Sequence, residues 1–262
     1  MKNIVRIIAV LFIKDGLIVK SQGFFKHQYI GNVIEQAQRL NYYDVDELIY
    51  IDISRNNIYD LGRDDLYIKT KKNIFRIIKD VSKVCFMPLT FGGKIRSKDD
   101  AINLIRSGAD KIIINHMLLH NREEVLRIVQ NIGSQAVVAS IDYKIINEEP
   151  LVFDNFGKIN TKLNLFKFLK TIENINVGEI FLQNIDNDGS QKGFDIPTIR
   201  QAIKTVSLPV IACSGAGNAQ HFIDILKLKD ISGVAAGNIF NYTERSYPNI
   251  KKEIKKIHKN VR

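Results

Sequence analysis

Carboxylates and glycines recur at the ends of apolar runs, and these residue types move protons and hold phosphates. Asp52 closes the run ELIYID, Asp142 closes VVASID, and Asp186 and Asp188 follow EIFLQN. A carboxylate at the rim of a low-dielectric interior has a displaced pKa and can serve as a general acid or base. The competing role for any one of them is a loop cap or the partner of a nearby lysine. Glycines cluster in SGAGN at 214–218 and AAGN at 235–238, and Gly189 follows Asp188 in NDGSQKG. Without a Cβ, backbone N–H groups can approach a phosphate, and a following helix N-terminus adds a favourable dipole. Asp188, Gly189, Gly215, Gly237 and Asn238 are therefore candidate phosphate-site residues, although tight turns alone would also use glycine.

An earlier turn, FGGK at 91–94, has Lys94 where a third glycine is expected. A lysine there either holds phosphate as a point charge or fills the space a phosphate would take. Lys20, in LIVKSQ, can contact a substrate anion or be an ordinary exposed lysine. Asn115 ends one apolar run as Asn238 ends another, and is grouped with the substrate-binding candidates; His116, beside it, contacts a ligand or packs at the rim. The five histidines, His27, His116, His120, His221 and His258, lack metal-ligand spacing, so neither a metal nor another cofactor is expected. Charges also sit at the starts of apolar runs: Arg6, Glu47, Lys111 and Glu179. Two cations and two anions brought together could form a closed ring of ion pairs, a plug of mutually satisfied buried charge.

These positions make sense only if strands and helices alternate around them. Short apolar runs at 4–12, 47–53, 84–91, 111–115, 136–142, 178–184, 208–213 and 233–237 read as buried parallel strands, apolar nearly throughout rather than alternating. Amphipathic stretches near 30–40, 70–82, 97–107, 121–131, 162–173, 195–206, 218–228 and 246–258 read as helices between them. Eight such units predict an α/β fold, a (β/α)8 barrel, with an open doubly wound sheet as the competing topology. FGGKIRSKDDA at 91–101 echoes CSGAGNAQHF at 213–222, which suggests two half-barrels. No Pro/Ser-rich linker interrupts 1–262, so one domain is expected. Two irregular segments, a long polar loop at 54–69 and a hairpin within 143–161, follow strand ends, the face where barrel sites are built.

Composition narrows the classes. The 262 residues are 45% hydrophobic and 25% charged, as in a globular protein. Runs such as IIAVLF are too short to span a bilayer, and no signal peptide is visible, so a cytoplasmic location without membrane association is expected. The net charge of +10 is scattered, without an aromatic-interleaved basic platform, which argues against nucleic acid. The basic tail at 251–262 reads as a helix with Ile250, Ile254 and Ile257 on one face. Cys85 and Cys213 read as buried small hydrophobes.

In order along the chain, FIKDGLIVK (12–20), VDELIYIDIS (45–54), MPLTFGGKIRS (87–97), GADKIIIN (108–115), GSQAVVASIDYK (133–144), GEIFLQNIDNDGSQKGFD (178–195), LPVIACSGAGN (208–218) and AAGNIF (235–240) resemble the cyclase subunit of imidazole glycerol phosphate synthase. The resemblance spans essentially the whole chain. It implies a barrel that docks a glutaminase on its strand-start face and admits ammonia through a gate at Arg6, Glu47, Lys111 and Glu179. Asp110 and Gln135 match interface and barrel-bottom positions. That family uses two aspartates as acid and base; one corresponds to Asp142, but the other falls at Phe12, which transfers no proton. Lys94 and His116 also depart from the pattern. The departures make the chain look more like paralogues in bacterial surface-glycan biosynthesis, which work with a glutaminase and a sugar amidotransferase to convert an acetamido sugar to an acetamidino sugar. The alternative is a working cyclase of histidine biosynthesis. Either implies a phosphorylated or nucleotide-linked ligand.

Overall fold

The computed structural model describes residues 4–55, 59, 73–241 and 245–262. In chain order the strands are β1 (Arg6–Lys14), β2 (Leu17–Gln22), β3 (Lys26–Asn32), β4 (Glu47–Asp52), β5 (Leu89–Gly92), β6 (Lys111–Ile114), β7 (Val137–Ile146), β8 (Glu149–Asp154), β9 (Ile159–Asn164), β10 (Glu179–Asn184), β11 (Val210–Cys213) and β12 (Ile231–Ala236). Strands β1, β4, β5, β6, β7, β10, β11 and β12 pair in parallel, each with its neighbour, and β12 pairs back onto β1. The sheet is therefore a closed eight-stranded barrel, which removes the unpaired edges that an open sheet would leave.

Helices α1 (Val33–Tyr42), α2 (Ile74–Val81), α3 (Lys98–Arg106), α4 (His116–His120), α5 (Arg122–Ile132), α6 (Leu165–Glu173), α7 (Ile196–Thr205), α8 (Ala219–Ile225) and α9 (Ser246–Ile257) join the strands. Their starts are encoded locally. Asn32, Asn73, Ser97, Asn121, Asn164, Asp195 and Asn218 each accept a first-turn backbone N–H. Each such cap contributes about 1 kcal/mol.

The continuous apolar runs have two buried faces. In β1, Ile7, Ala9, Leu11 and Ile13 pack toward the helices, while Ile8, Val10 and Phe12 join Ile49, Ile113, Val138, Phe181 and Ile211 inside the barrel. Both faces are dry, so the strand cannot alternate polar with apolar residues.

Three expectations change. First, the chain after β1 does not run straight to a helix. Asp15 and Gly16 both have positive φ and turn β1 into an antiparallel hairpin with β2, which pairs with β3. Asp-Gly between two apolar runs is a strong hairpin signal that the barrel rhythm obscured. Second, the hairpin in 143–161 is a three-stranded extension. β7 continues to Ile146, turns at Asn147 and Glu148, and pairs with β8, which pairs with β9. Third, α9 buries Ile250 and Ile254 but leaves Ile257 59% exposed; Lys251 is buried instead, 2.6 Å from Asp46. Of the polar segment at 54–69, all but Ser54, Arg55 and Tyr59 lies outside the described residues.

Candidate active site

The ends of the first six barrel strands and the two hairpins enclose a cavity of about 610 Å³. Asp142, at the end of the parallel part of β7, lines it and is 9% exposed. Burial pushes its carboxyl up to about 7, with a further push from the charges of Asp154 and Asp188, against the hydrogen bond of Asn115. A carboxyl group poised there can both give and take a proton at neutral pH. Phe12 lines the same cavity and caps the apolar barrel interior. Gln183, in register with Asp142 on β10, is 2% exposed, and its side-chain amide nitrogen has no hydrogen-bond partner among the described residues. A buried donor left unpaired costs about 1–3 kcal/mol, and a polar ligand in the cavity could recover it.

Asp52 also lines the cavity, but its carboxylate is already engaged. It accepts from the hydroxyls of Tyr59 at 2.7 Å and Ser54 at 2.5 Å, and Lys94 Nζ lies 3.4 Å away. Lys94 also sits over the Tyr59 ring. Its ammonium is therefore directed at Asp52. Gly93 and Lys94, four and three residues before the helix cap Ser97, both have positive φ, as Ser214 and Gly215 do four and three residues before Asn218. Lys94 thus occupies the backbone position that Gly215 holds in the second half. A side chain in this left-handed conformation costs about 1–2 kcal/mol.

At the opposite end, four charged residues form a closed ring. Arg6 reaches Glu47 and Glu179, each at 2.6 Å, and Lys111 reaches Glu179 at 3.0 Å and Glu47 at 3.4 Å. Glu47 accepts a further bond from Thr90. Burial opposes the charge on Arg6 and Glu179, yet the mutual attraction wins: Glu179 is held below the usual carboxylate range and Arg6 is raised. Above the ring the interior is apolar up to Phe12.

A family model described as histidine biosynthesis protein matches residues 6–246. The chain belongs to that family. It is similar to imidazole glycerol phosphate synthase subunit HisF of Saccharolobus solfataricus, with 36% identity over 236 residues, 90% of either chain. The namesake subunits of Hydrogenobaculum sp. and Bacillus cereus are 33% and 31% identical over 258 residues, 98% of each chain.

In this histidine biosynthesis family member the second-half turns do not open into the cavity. Asp188 accepts from Ser21 Oγ at 2.7 Å and from the Phe24 N–H at 3.2 Å, while its own backbone carbonyl accepts from Gly23. Asn238 exchanges two bonds with the Ser21 backbone. The β2–β3 hairpin therefore occupies the side chains of Asp188 and Asn238, two of the groups the sequence assigned to phosphate. Gly189, Gly215 and Gly237 are required sterically: a Cβ would meet the carbonyl oxygens of Ser21, Gly193 and Val10 at 2.9, 1.9 and 2.6 Å. Lys20 stands on β2, paired with Gln28, away from the cavity lining.

The first-half candidates do converge. Asn115, His116 and Lys94 share the cavity with Asp142 of the fifth barrel strand and with residues that sequence reading missed: Arg55, Arg96, Lys158, Phe24, Phe156 and Asp154. Lys158, Phe156 and Asp154 come from the VFDNFGKI segment, whose hairpin was legible though its reach over the barrel was not. Two of the histidines come together with a carboxylate, which their spacing alone did not suggest. His116 Nδ1 lies 2.9 Å from one oxygen of Asp154 and His120 Nε2 lies 2.8 Å from the other. These are potential metal-ligating groups brought within 4.8 Å of one another. The spacing argument missed them because the third donor comes from β8, which reaches α4 only through the fold.

Among the described residues, no helix is long and apolar enough to cross a membrane. Both cysteines are buried free thiols, and burial pushes Cys85 up to about 11 and Cys213 to about 12. Neither is a thiolate nucleophile at neutral pH.

Proposed function

We propose that this chain is the ammonia-receiving barrel subunit of a glutamine-dependent enzyme of the imidazole glycerol phosphate synthase type, with a separate glutaminase docked over the strand starts. The observation that carries it is the ring of Arg6, Glu47, Lys111 and Glu179 at the base of an apolar barrel interior. Neutral ammonia loses little on entering an apolar core, whereas ammonium pays a large desolvation cost. A charged entrance beneath a dry interior therefore selects NH3. Around that entrance the surface is suited to docking. Ile4, Tyr42, Phe86 and Ile257 are exposed apolar side chains at this end, and Asp110 and Gln135, just before β6 and β7, are exposed at the same end. With both thiols buried and protonated, glutamine hydrolysis falls to the partner.

At the far end, Asp142 is the catalytic group, Asn115 orients it, and Arg55, Arg96 and Lys158 attract a phosphorylated or nucleotide-linked ligand. Phe24 and Phe156 offer faces for a sugar or base. The second-half residues Asp188, Gly189, Gly215, Gly237 and Asn238, with Lys20, become ligand contacts only if the β2–β3 hairpin moves away. Two acceptors fit. The relatives' names favour formation of imidazole glycerol phosphate, with Asp142 as acid and base. Phe12 favours the other, handing ammonia on to a sugar amidotransferase for amidination of a glycan sugar, because a ring closure needing two proton-transfer groups loses about 10²–10⁴-fold for each one missing.

The test supplies purified protein with the phosphoribosyl formimino intermediate and ammonium chloride. Turnover matching an authentic cyclase selects the first acceptor, and its absence selects the second. For the shared proposal, the chain is mixed with glutaminases encoded beside it. Glutamine hydrolysis that stays unstimulated, with no complex on size-exclusion chromatography, sinks it.

A further inference from the structure

We propose that His116, His120 and Asp154 bind one zinc-class divalent cation at the mouth of the cavity, leaving coordination positions open toward it. The site is built from two elements. His116 and His120 stand one turn apart on α4, the spacing that puts two imidazoles on one helix face. Met117 and Leu118 on the same turn are buried, which anchors the helix on its inner side, and Leu118 and Asn121 donate backbone bonds to Asn115 and Met117 that close its ends. Asp154, the last residue of β8, is 4% exposed, and its backbone carbonyl accepts from Lys158.

The donor chemistry fits zinc. Two imidazole nitrogens and one carboxylate oxygen form the three-ligand set of zinc sites that keep a fourth position for water or substrate. All three donors lie within 4.8 Å of one another. Around a tetrahedral zinc with bonds of about 2.0–2.1 Å, donors stand about 3.4 Å apart. The present His–Asp distances of 2.8 and 2.9 Å need to open by only about half an ångström for a cation to replace the bridging protons. The imidazole rings already lie 4.2 Å apart between centroids, tilted by 34°, with a nitrogen of each turned to one carboxylate. Their side chains are 71% and 54% exposed, so a cation has access from solvent. A pair of histidines sharing one buried carboxylate is more than a single ion pair needs.

His116 and Asp154 line the cavity that holds Asp142, Asn115 and Gln183. An open position on the cation would bind an anionic oxygen, a phosphate above all, in the half of the barrel where Lys94 is turned toward Asp52. This second step rests on the ligand class proposed above; cation binding itself does not.

The chelator-stripped full chain is titrated with Zn²⁺ by calorimetry, and with Co²⁺ as a spectroscopic probe. The expected result is one equivalent bound and an intense visible Co²⁺ band of tetrahedral type, with Mg²⁺ failing to compete. His120→Gln and Asp154→Asn are expected to weaken binding by more than the about 10–100-fold that loss of an outer hydrogen-bond partner costs. His120→Gln changes an exposed side chain, and its unaltered circular dichroism would exclude misfolding. No binding above that of a surface histidine pair, or binding by both variants equal to that of the unsubstituted chain, overturns the site. Inorganic phosphate is then added to the Co²⁺ form: a shifted band supports the open position, and an unchanged band overturns that part. None of these measurements involves a glutaminase or turnover, so failure of ammonia transfer and failure of the cation site are read separately.

Discussion

Arg6 and Glu179 lie 173 positions apart in the chain and meet at 2.6 Å in the fold. With Glu47 and Lys111 they complete the charged ring beneath the barrel. If the ring admits ammonia, Lys111→Ala should lower glutamine-dependent product formation by about tenfold or more, a barrier change of about 1.4 kcal/mol, and leave ammonium-driven turnover nearly unchanged. The ratio of the two rates in the reconstituted complex is the measurement. The same variant leaves two acids short of a cation and should cost about 1–3 kcal/mol by urea denaturation.

Asp142 makes stability depend on pH with a definite sign. Its folded carboxyl titrates at about 7 against an ordinary value of 3.8. The folded state therefore keeps a proton that the unfolded chain has lost. The stability this group contributes is complete below about pH 4 and is lost as pH rises through about 7. Asp142→Asn should remove that slope. Comparing urea midpoints of wild type and variant at about pH 5 and pH 8 should show the variant gaining relative stability at the higher pH, on the order of a few kcal/mol.

Lys94→Met leaves Asp52 buried without its cation, although the Tyr59 and Ser54 hydroxyls remain. Breaking a buried pair from one side costs about 3–5 kcal/mol, and the retained hydroxyls place the expected loss at the lower end. Lys94→Gly relieves about 1 kcal/mol of left-handed strain and should remain destabilised relative to wild type. Thermal denaturation of both variants checks the order.

Phe12 closes the top of the inner core. Phe12→Ala should cost about 3 kcal/mol through lost burial and the void it leaves. Its partly open position at the cavity should also increase binding of small apolar probes such as xenon or benzene, which equilibrium unfolding and probe titration would report.

How much of this was legible in the chain can be judged residue by residue. Six of the eight apolar runs end within a residue of their barrel strands, because a strand buried on both faces admits almost no polar residue until it reaches the rim; β1 and β7 run on into hairpins, to Lys14 and Ile146. Asp142 and Asn115 were visible for that reason, and so were the four charges at the strand starts. The hairpin after β1 was signalled by Asp15 and Gly16, yet its consequence was not. That Ser21 and Phe24 would bind Asp188, and the Ser21 backbone Asn238, depends on a contact between opposite ends of the sequence.

The amino-acid sequence by itself determined the layering, since periodicity, helix caps and turn residues act within a few positions of one another. Only the tertiary structure decided which rim groups face the cavity. Lys94 turned to Asp52, the second-half turns were covered, and His116 and His120 acquired Asp154. These outcomes follow from the closure of the barrel, which sets distances between residues that no local spacing constrains.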